Sequence, residues 1–137
     1  MDSFKIGIYC VDDDPMITEI LLFQLSKALG NEFSIEIENN PENVLNLMRS
    51  NLEYGIEPFV CIVDFQMPVI RGDELCRMLK KEFPKIKIIM LSGNSNALLV
   101  SDLEEDGLLE VYMEKPWIQE DLLRNVNSCL PLNLKFK

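Results

Sequence analysis

The chain has 137 residues, of which 47% are hydrophobic and 26% charged, proportions typical of an ordinary globular domain and not of a disordered or fibrous chain. Lys and Arg number 13 against 23 Asp and Glu, and the resulting net charge of −10 disfavours direct binding to nucleic acid. Neither a membrane-spanning apolar run nor a secretion signal is visible in the sequence, so we expect no membrane association and a cytoplasmic location.

Histidine and cysteine, which carry out much of enzyme catalysis and zinc binding, offer few candidates in this sequence. The sequence contains no histidine, which excludes Ser-His-Asp and Cys-His catalysis. The four cysteines, Cys10, Cys61, Cys76 and Cys129, are dispersed without a Cys-x-x-Cys pair, so zinc-ligand spacing is not assembled locally. We expect them to be reduced thiols that pack in the core.

Strand-like and helix-like segments alternate along the chain. Runs rich in β-branched and aromatic residues predict strands at residues 5–11, 33–38, 59–63, 86–91 and 109–113. Helices are predicted between them, from Pro15 to Gly30, from Asn40 onwards, from Gly72 to Pro84, over about 96–105 and over about 119–129.

Five repeats of a strand followed by a helix imply a parallel sheet, because each parallel crossover needs a helix to return the chain. We therefore predict an α/β fold: a doubly wound, five-stranded parallel sheet with helices on both faces. It forms one domain over residues 1–130, followed by a C-terminal tail of residues 131–137.

Polar residues follow four of the predicted strands, at the edge where open parallel sheets bind ligands. They are Asp12, Asp13 and Asp14 after the first strand, Asp64 after the third, Ser92 after the fourth and Lys115 after the fifth. The aspartate triplet alone could be no more than a helix-capping cluster.

Together, these residues have an electrostatic consequence. Two carboxylates about 5 Å apart repel by roughly 3 kcal/mol at an effective dielectric near 20, so a cation is expected where they gather. An all-oxygen site favours a hard divalent ion such as Mg²⁺, and Lys115 supplies a positive charge that could hold a phosphoryl oxygen. A carboxylate nucleophile, a metal and an ammonium are the parts needed for phosphoryl transfer.

Four motifs, in order, resemble the signature of the receiver domain of two-component response regulators. They are Val11 to Pro15, Val63 to Pro68 with Gly72, Leu91 to Gly93, and Tyr112 to Pro116. The similarity runs from residue 5 to about 130 and implies the flavodoxin-like receiver fold, in which the chain catalyses only its own phosphotransfer and autodephosphorylation and is not otherwise an enzyme.

The resemblance also implies a role for each matching residue. Asp64 would be the phosphoacceptor, taking a phosphoryl group from a sensor histidine kinase or a histidine phosphotransfer protein. The Mg²⁺ ligands would be Asp12, Asp13, Asp64 and the backbone carbonyl of Gln66. Lys115 and Ser92 would contact the phosphoryl group, and Ser92 and Tyr112 would form the conformational switch. Gln66 and Asn94 are candidates for setting the lifetime of the aspartyl phosphate, and the bond from Lys115 to Pro116 is expected to be cis.

Output would pass through the fourth helix, the fifth strand and the fifth helix, over about residues 97–112 and 119–129. The partner there would be an output domain or an effector protein, and the resemblance also allows a homodimer on phosphorylation. The length leaves open a stand-alone regulator, a receiver within a hybrid kinase, or the N-terminal part of a longer protein.

Two other classes compete with this interpretation. A phosphatase or phosphotransferase of the haloacid dehalogenase type would use Asp12 as its nucleophile, with Asp14 as the second acid; however, Met16 stands where that family has a small hydroxyl residue, and a cap region is missing. A binding module without chemistry would be a flavin carrier or a pseudo-receiver. The triple aspartate would repel a flavin phosphate, and a pseudo-receiver typically lacks one of the acids or the lysine.

Overall fold

The computed structural model describes residues 4–93 and 97–136, with the side chains of 97–99 left out of the description. Its centre is a parallel sheet of five strands in the order β2-β1-β3-β4-β5. The strands are β1 (Lys5–Val11), β2 (Phe33–Glu38), β3 (Ile56–Asp64), β4 (Lys87–Ser92) and β5 (Val111–Glu114).

Helices follow the strands on both faces of the sheet. They are α1 (Pro15–Ala28), α2 (Val44–Leu52), α3 (Gly72–Glu82), α4 (Ala97–Glu105) and α5 (Gln119–Ser128), with 3₁₀ turns at Pro41–Asn43 and Leu132–Leu134. The predicted doubly wound α/β fold is therefore confirmed.

The strands bury side chains on both faces because successive residues point to opposite sides. In β1, Ile8 belongs to the cluster that contains Leu21 of α1 and Leu122 of α5. Its neighbour Tyr9 belongs to the cluster on the opposite face, which α2, α3 and α4 cover. This double burial explains why the central strands read as nearly continuous apolar runs.

Several predicted boundaries were wrong, the fourth strand by one residue at each end (Lys87–Ser92 and not 86–91). The third strand begins at Ile56 and not at residue 59, and it contains Pro58 where its register with β1 shifts. The fifth strand is Val111–Glu114 and not 109–113, although Leu109 is buried in front of it. The second helix starts at Val44, after the 3₁₀ turn that Asn40 caps. In the two strands the apolar pattern marked buried residues and not the hydrogen-bonded ladder, whereas the Asn40 cap and Pro41 begin a 3₁₀ turn and not the α-helix itself.

The predicted tail packs back on the domain. Asn127 of α5 donates from Nδ2 to the carbonyl of Phe136 at 2.6 Å, and its Oδ1 accepts from the Phe136 amide at 2.8 Å. Leu134 and Phe136 also lie against the cluster that α1 and α5 cover.

All four cysteines are free and buried, as expected. Burial raises the pKa of Cys10 to about 12, so this thiol remains protonated at neutral pH. None of the helices within residues 4–93 and 97–136 combines the length and the apolar character needed to cross a bilayer.

Candidate functional site

The carboxyl ends of four strands bring the predicted polar residues to one edge of the sheet. Asp12 follows β1, Asp64 is the last residue of β3, Ser92 is the last residue of β4, and Lys115 follows β5. This arrangement results from the parallel topology, since all these strands end on the same side.

Three carboxylates form the centre of the site. One oxygen each from Asp12, Asp13 and Asp64 lies within 4.8 Å of the others. Asp12 is only 1% exposed and Asp64 only 4%, whereas Asp13 is exposed to solvent. A compact set of carboxylate oxygens, open to water on one side, fits the ligand preference of Mg²⁺.

Lys115 bridges the two buried acids. Its Nζ lies 2.9 Å from Asp12 Oδ2 and 2.9 Å from Asp64 Oδ1. The ammonium therefore offsets part of the negative charge, but the three carboxylates still outnumber it. The cluster as a whole attracts a further cation.

Burial and pairing act in opposite directions on these groups. Burial raises the pKa of Asp12 and of Asp64; the rise is partly opposed by the Asp14 amide and then Lys115 at Asp12, and by the Lys115 hydrogen bond at Asp64. For Lys115, burial disfavours the charged form, but the hydrogen bonds to Asp12 and Asp64 and the attraction of their charges together outweigh burial and raise its pKa. At neutral pH the lysine is an ammonium.

Asp14 is not part of the three-carboxylate cluster but caps a helix. Its side chain accepts a hydrogen bond of 2.9 Å from the Met16 amide and so caps the N-terminus of α1, with Pro15 in the first turn. The Asp14 amide in turn donates to Asp12 Oδ1 at 2.9 Å, which holds that carboxylate in place.

The segment after Asp64 turns sharply because residue 72 has no side chain. The Gly72 amide donates to the Phe65 carbonyl at 2.8 Å. A Cβ at this position would collide with the carbonyl oxygen of Asp64 and would come within 2.7 Å of the Phe65 Cα. Glycine is therefore what allows α3 to begin beside the end of β3.

The other predicted residues that the structure describes lie on or just after the strands that end at this edge of the sheet. Ser92 is buried, and its carbonyl accepts from the Lys115 amide at 2.8 Å. Tyr112 is half-buried and pairs in register with Met90, two positions before Ser92, so Tyr112 and Ser92 point to the same face of the sheet. The side chain of Gln66 is exposed, and the bond from Lys115 to Pro116 is cis as expected. Asn94 lies outside the described residues.

Sequence reasoning did not single out Asn39, which contacts the acidic loop, residues 12–15, directly. Its Nδ2 donates to the backbone carbonyl of Asp12 at 2.8 Å and to the Thr18 hydroxyl at 2.9 Å. The only signal in the sequence was a second asparagine before the predicted cap Asn40.

Comparison with known proteins agrees with this geometry. Residues 8–127 match the family model described as the response regulator receiver domain. The heme response regulator HssR of Staphylococcus saprophyticus is 31% identical over 123 residues, which is 88% of this chain and 49% of that protein. The chain spans about half the length of the curated relatives it matches.

Solved structures show the same fold. The signal receiver domain of an HD domain-containing protein from Pseudomonas fluorescens superposes with a TM-score of 0.79 at 22% identity, covering 91% of this chain and 94% of the other. The BeF3-activated DrrB receiver domain has a TM-score of 0.73 at 26% identity, covering 92% of this chain and 97% of the other. These matches give no support to the haloacid dehalogenase alternative. Because the family model matches most of the chain, the protein belongs to the receiver domains of two-component response regulators.

Proposed function

We propose that this receiver domain is a phosphorylation switch in which Asp64 accepts a phosphoryl group in a Mg²⁺-dependent reaction. The observation that carries the proposal is the position of Lys115, 2.9 Å from both Asp12 and Asp64 beside the cluster of three carboxylates. This set combines a nucleophilic oxygen, ligands for a hard cation and a fixed positive charge.

The residues of the cluster fit Mg²⁺ by their chemistry. Asp12, Asp13 and Asp64 would hold the ion, with the backbone carbonyl of Gln66 as the further ligand expected from the family. When bound, the ion would offset the charge of the carboxylates and of the phosphoryl oxygens. The exposure of Asp13 leaves that side of the site open to water ligands and to a donor.

The reaction is a transfer between two nucleophiles. A carboxylate oxygen of Asp64 forms a bond to phosphorus while the bond from phosphorus to the donor imidazole nitrogen breaks, and the imidazole leaves with the electron pair. Lys115 turns its ammonium to the phosphoryl oxygens, and the Ser92 hydroxyl donates to another of them. Hydrolysis later returns the carboxylate and inorganic phosphate.

The donor is a phosphohistidine on a sensor histidine kinase or a histidine phosphotransfer protein. The receiver unit is residues 1–130, and the longer curated relatives support an output part beyond it in a full-length protein. The effect of phosphorylation would pass through Ser92 and Tyr112 to α4, β5 and α5, by a shift between two conformations of the domain. The effector, or a second copy of the domain, would bind there.

Intact-mass measurement tests the assignment. The unaltered chain, incubated with acetyl phosphate and Mg²⁺, should gain one phosphoryl group, and Asp64→Asn should gain none. Asp14→Asn is the matched control, because asparagine also caps a helix and Asp14 lies outside the cluster. It should be phosphorylated like the unaltered chain. Persistent labelling of Asp64→Asn would contradict the proposal and restore Asp12 as a candidate nucleophile.

A further inference from the structure

The β1–β2 ladder ends irregularly beside the acidic loop. The Asp12 amide donates to the Glu38 carbonyl at 3.3 Å, which continues the parallel pairing one step beyond β1. In a regular ladder the Asp12 carbonyl would next accept from the amide of residue 40. The Asn40 amide donates instead to the Glu38 side chain at 3.0 Å, and the side chain of Asn39 takes its place with the 2.8 Å bond to Asp12.

The same amide group also reaches the other end of the acidic loop. A side-chain amide has two hydrogens to donate, and the Nδ2 of Asn39 is within hydrogen-bond distance of Thr18 Oγ1 as well, at 2.9 Å. Thr18 is fully buried in α1, and its hydroxyl donates to the Pro15 carbonyl at 3.1 Å. Asn39 is therefore linked to the loop at Asp12 directly and at Pro15 through Thr18.

This linkage bears on the electrostatics of the site. The loop carries two of the three carboxylates that lie within 4.8 Å of each other, and their repulsion favours a looser loop. Lys115 holds the side chain of Asp12 from the β5 side, whereas Asn39 holds its backbone from the β2 side. A loop fixed at both ends keeps the ligand oxygens together before any cation binds.

We propose that Asn39, acting with Thr18, is a positioning residue for the acidic loop and sets the affinity of the site for Mg²⁺. The inference rests on the proposed function, because it takes Asp12 and Asp13 as ligands of the ion. Groups that orient metal ligands through hydrogen bonds typically change metal affinity by about 10- to 100-fold when they are removed. We place Asn39 at the lower end of that range because it holds a backbone carbonyl and not a ligand side chain.

Isothermal titration of the full chain with MgCl₂ tests the proposal. Asn39→Ala should raise the dissociation constant for Mg²⁺ about tenfold. Asn51→Ala is the matched control, since Asn51 also donates a partly buried amide hydrogen bond, but to the Tyr9 hydroxyl at 3.1 Å. It should lower the stability of the fold to a similar extent and leave the dissociation constant unchanged.

Thr18 offers a second pair of variants that keeps the proposal testable if Asn39→Ala folds poorly. Thr18→Val retains the shape of the buried side chain but removes the hydroxyl, so it should weaken Mg²⁺ binding severalfold. Thr18→Ser retains the hydroxyl and should bind Mg²⁺ as tightly as the unaltered chain does. A general loss of packing would affect both variants alike.

The outcomes separate this inference from the proposed function. If the unaltered chain binds Mg²⁺ and is phosphorylated, but Asn39→Ala and Thr18→Val bind Mg²⁺ as tightly, only the positioning role is overturned. Equal weakening by Asn39→Ala and Asn51→Ala would overturn it as well. If the unaltered chain binds no Mg²⁺, the proposed function and this inference both fail.

Discussion

Lys115 Nζ and Asp64 Oδ1 lie 2.9 Å apart, although the strands that present them are not neighbours in the sheet. Asp64 ends β3, Lys115 follows β5, and β4 lies between them. The Lys115 side chain therefore passes the end of β4. At that end, the backbone amide of Lys115 donates a hydrogen bond to the Ser92 carbonyl. Any group bound to Asp64 Oδ1 would lie beside the Lys115 ammonium.

The first prediction concerns the charge of Lys115. Lys115→Met leaves the two buried carboxylates without their ammonium, so we expect a loss of about 1–3 kcal/mol in the free energy of unfolding without divalent ions. Added Mg²⁺ should reduce this loss because the ion compensates the same carboxylates. Urea unfolding with and without MgCl₂ measures both effects.

Lys87 provides the control for this prediction. It pairs with Glu110 at 3.9 Å on the surface, where such pairs contribute about 0–1 kcal/mol. Lys87→Met should therefore change the free energy of unfolding little, with or without Mg²⁺. A loss for Lys115→Met that Mg²⁺ leaves unchanged would contradict the proposed metal site.

The second prediction concerns Asp13. Its carboxylate belongs to the cluster but is exposed, so it adds repulsion without being needed for packing. Asp13→Asn should raise the free energy of unfolding in EDTA by about 0.5–1 kcal/mol and should lose much of the stabilisation by Mg²⁺. Thermal unfolding in EDTA and in MgCl₂ measures both changes. Unchanged stabilisation by Mg²⁺ would remove Asp13 from the ligand set.

The meeting of the acids and the lysine could be anticipated from the sequence. Asp12 and Asp64 each follow an apolar run of strand length, Lys115 comes two residues after the predicted fifth strand, and parallel strands bring their carboxyl ends to one edge. Only general topology is needed for that step. The motif spacing then indicated the family, because the same residue types follow the same strands in order.

Other features depend on tertiary contacts that local patterns do not encode. Pro58 reads as a break in a strand, yet β3 includes it because the register with β1 shifts at the facing Gly7. Leu109 reads as part of a strand because it is buried, yet β5 begins only where Val111 pairs with Ile89. Asn39 could not be chosen from the sequence, since its contact with Asp12 appears only once β1 and β2 are aligned.

The third prediction concerns alkaline pH. Burial raises the pKa of Tyr9 to about 12, with the hydrogen bond from Asn51 partly opposing the rise. An unfolded tyrosine releases its proton near pH ~10, so the folded chain binds more protons above that value and its stability falls as the pH rises. Tyr9→Phe lacks this group and should lose less stability between pH 9 and 11.

Comparing the unaltered chain with Tyr9→Phe isolates the effect of the Tyr9 hydroxyl on stability, because the buried thiols titrate in both. At pH 9 the unaltered chain should be the more stable by about 1 kcal/mol, the contribution of one hydrogen bond. This difference should narrow steadily towards pH 11 in urea unfolding experiments. A difference that stays constant would show that Tyr9 does not resist ionisation in the fold.

The fourth prediction compares two glycines at the site. Gly72→Ala places a methyl group against the Asp64 carbonyl and the Phe65 Cα, so the loop after β3 must shift, at a cost of about 2–4 kcal/mol. Gly93→Ala meets no atom within 4 Å and should change the free energy of unfolding by less than about 0.5 kcal/mol. Urea unfolding ranks the two. The shift at residue 72 moves the backbone of Asp64, so Gly72→Ala should also gain less phosphoryl group in intact-mass measurements. Equal stability of Gly72→Ala and Gly93→Ala would mean that the turn after β3 is not tight.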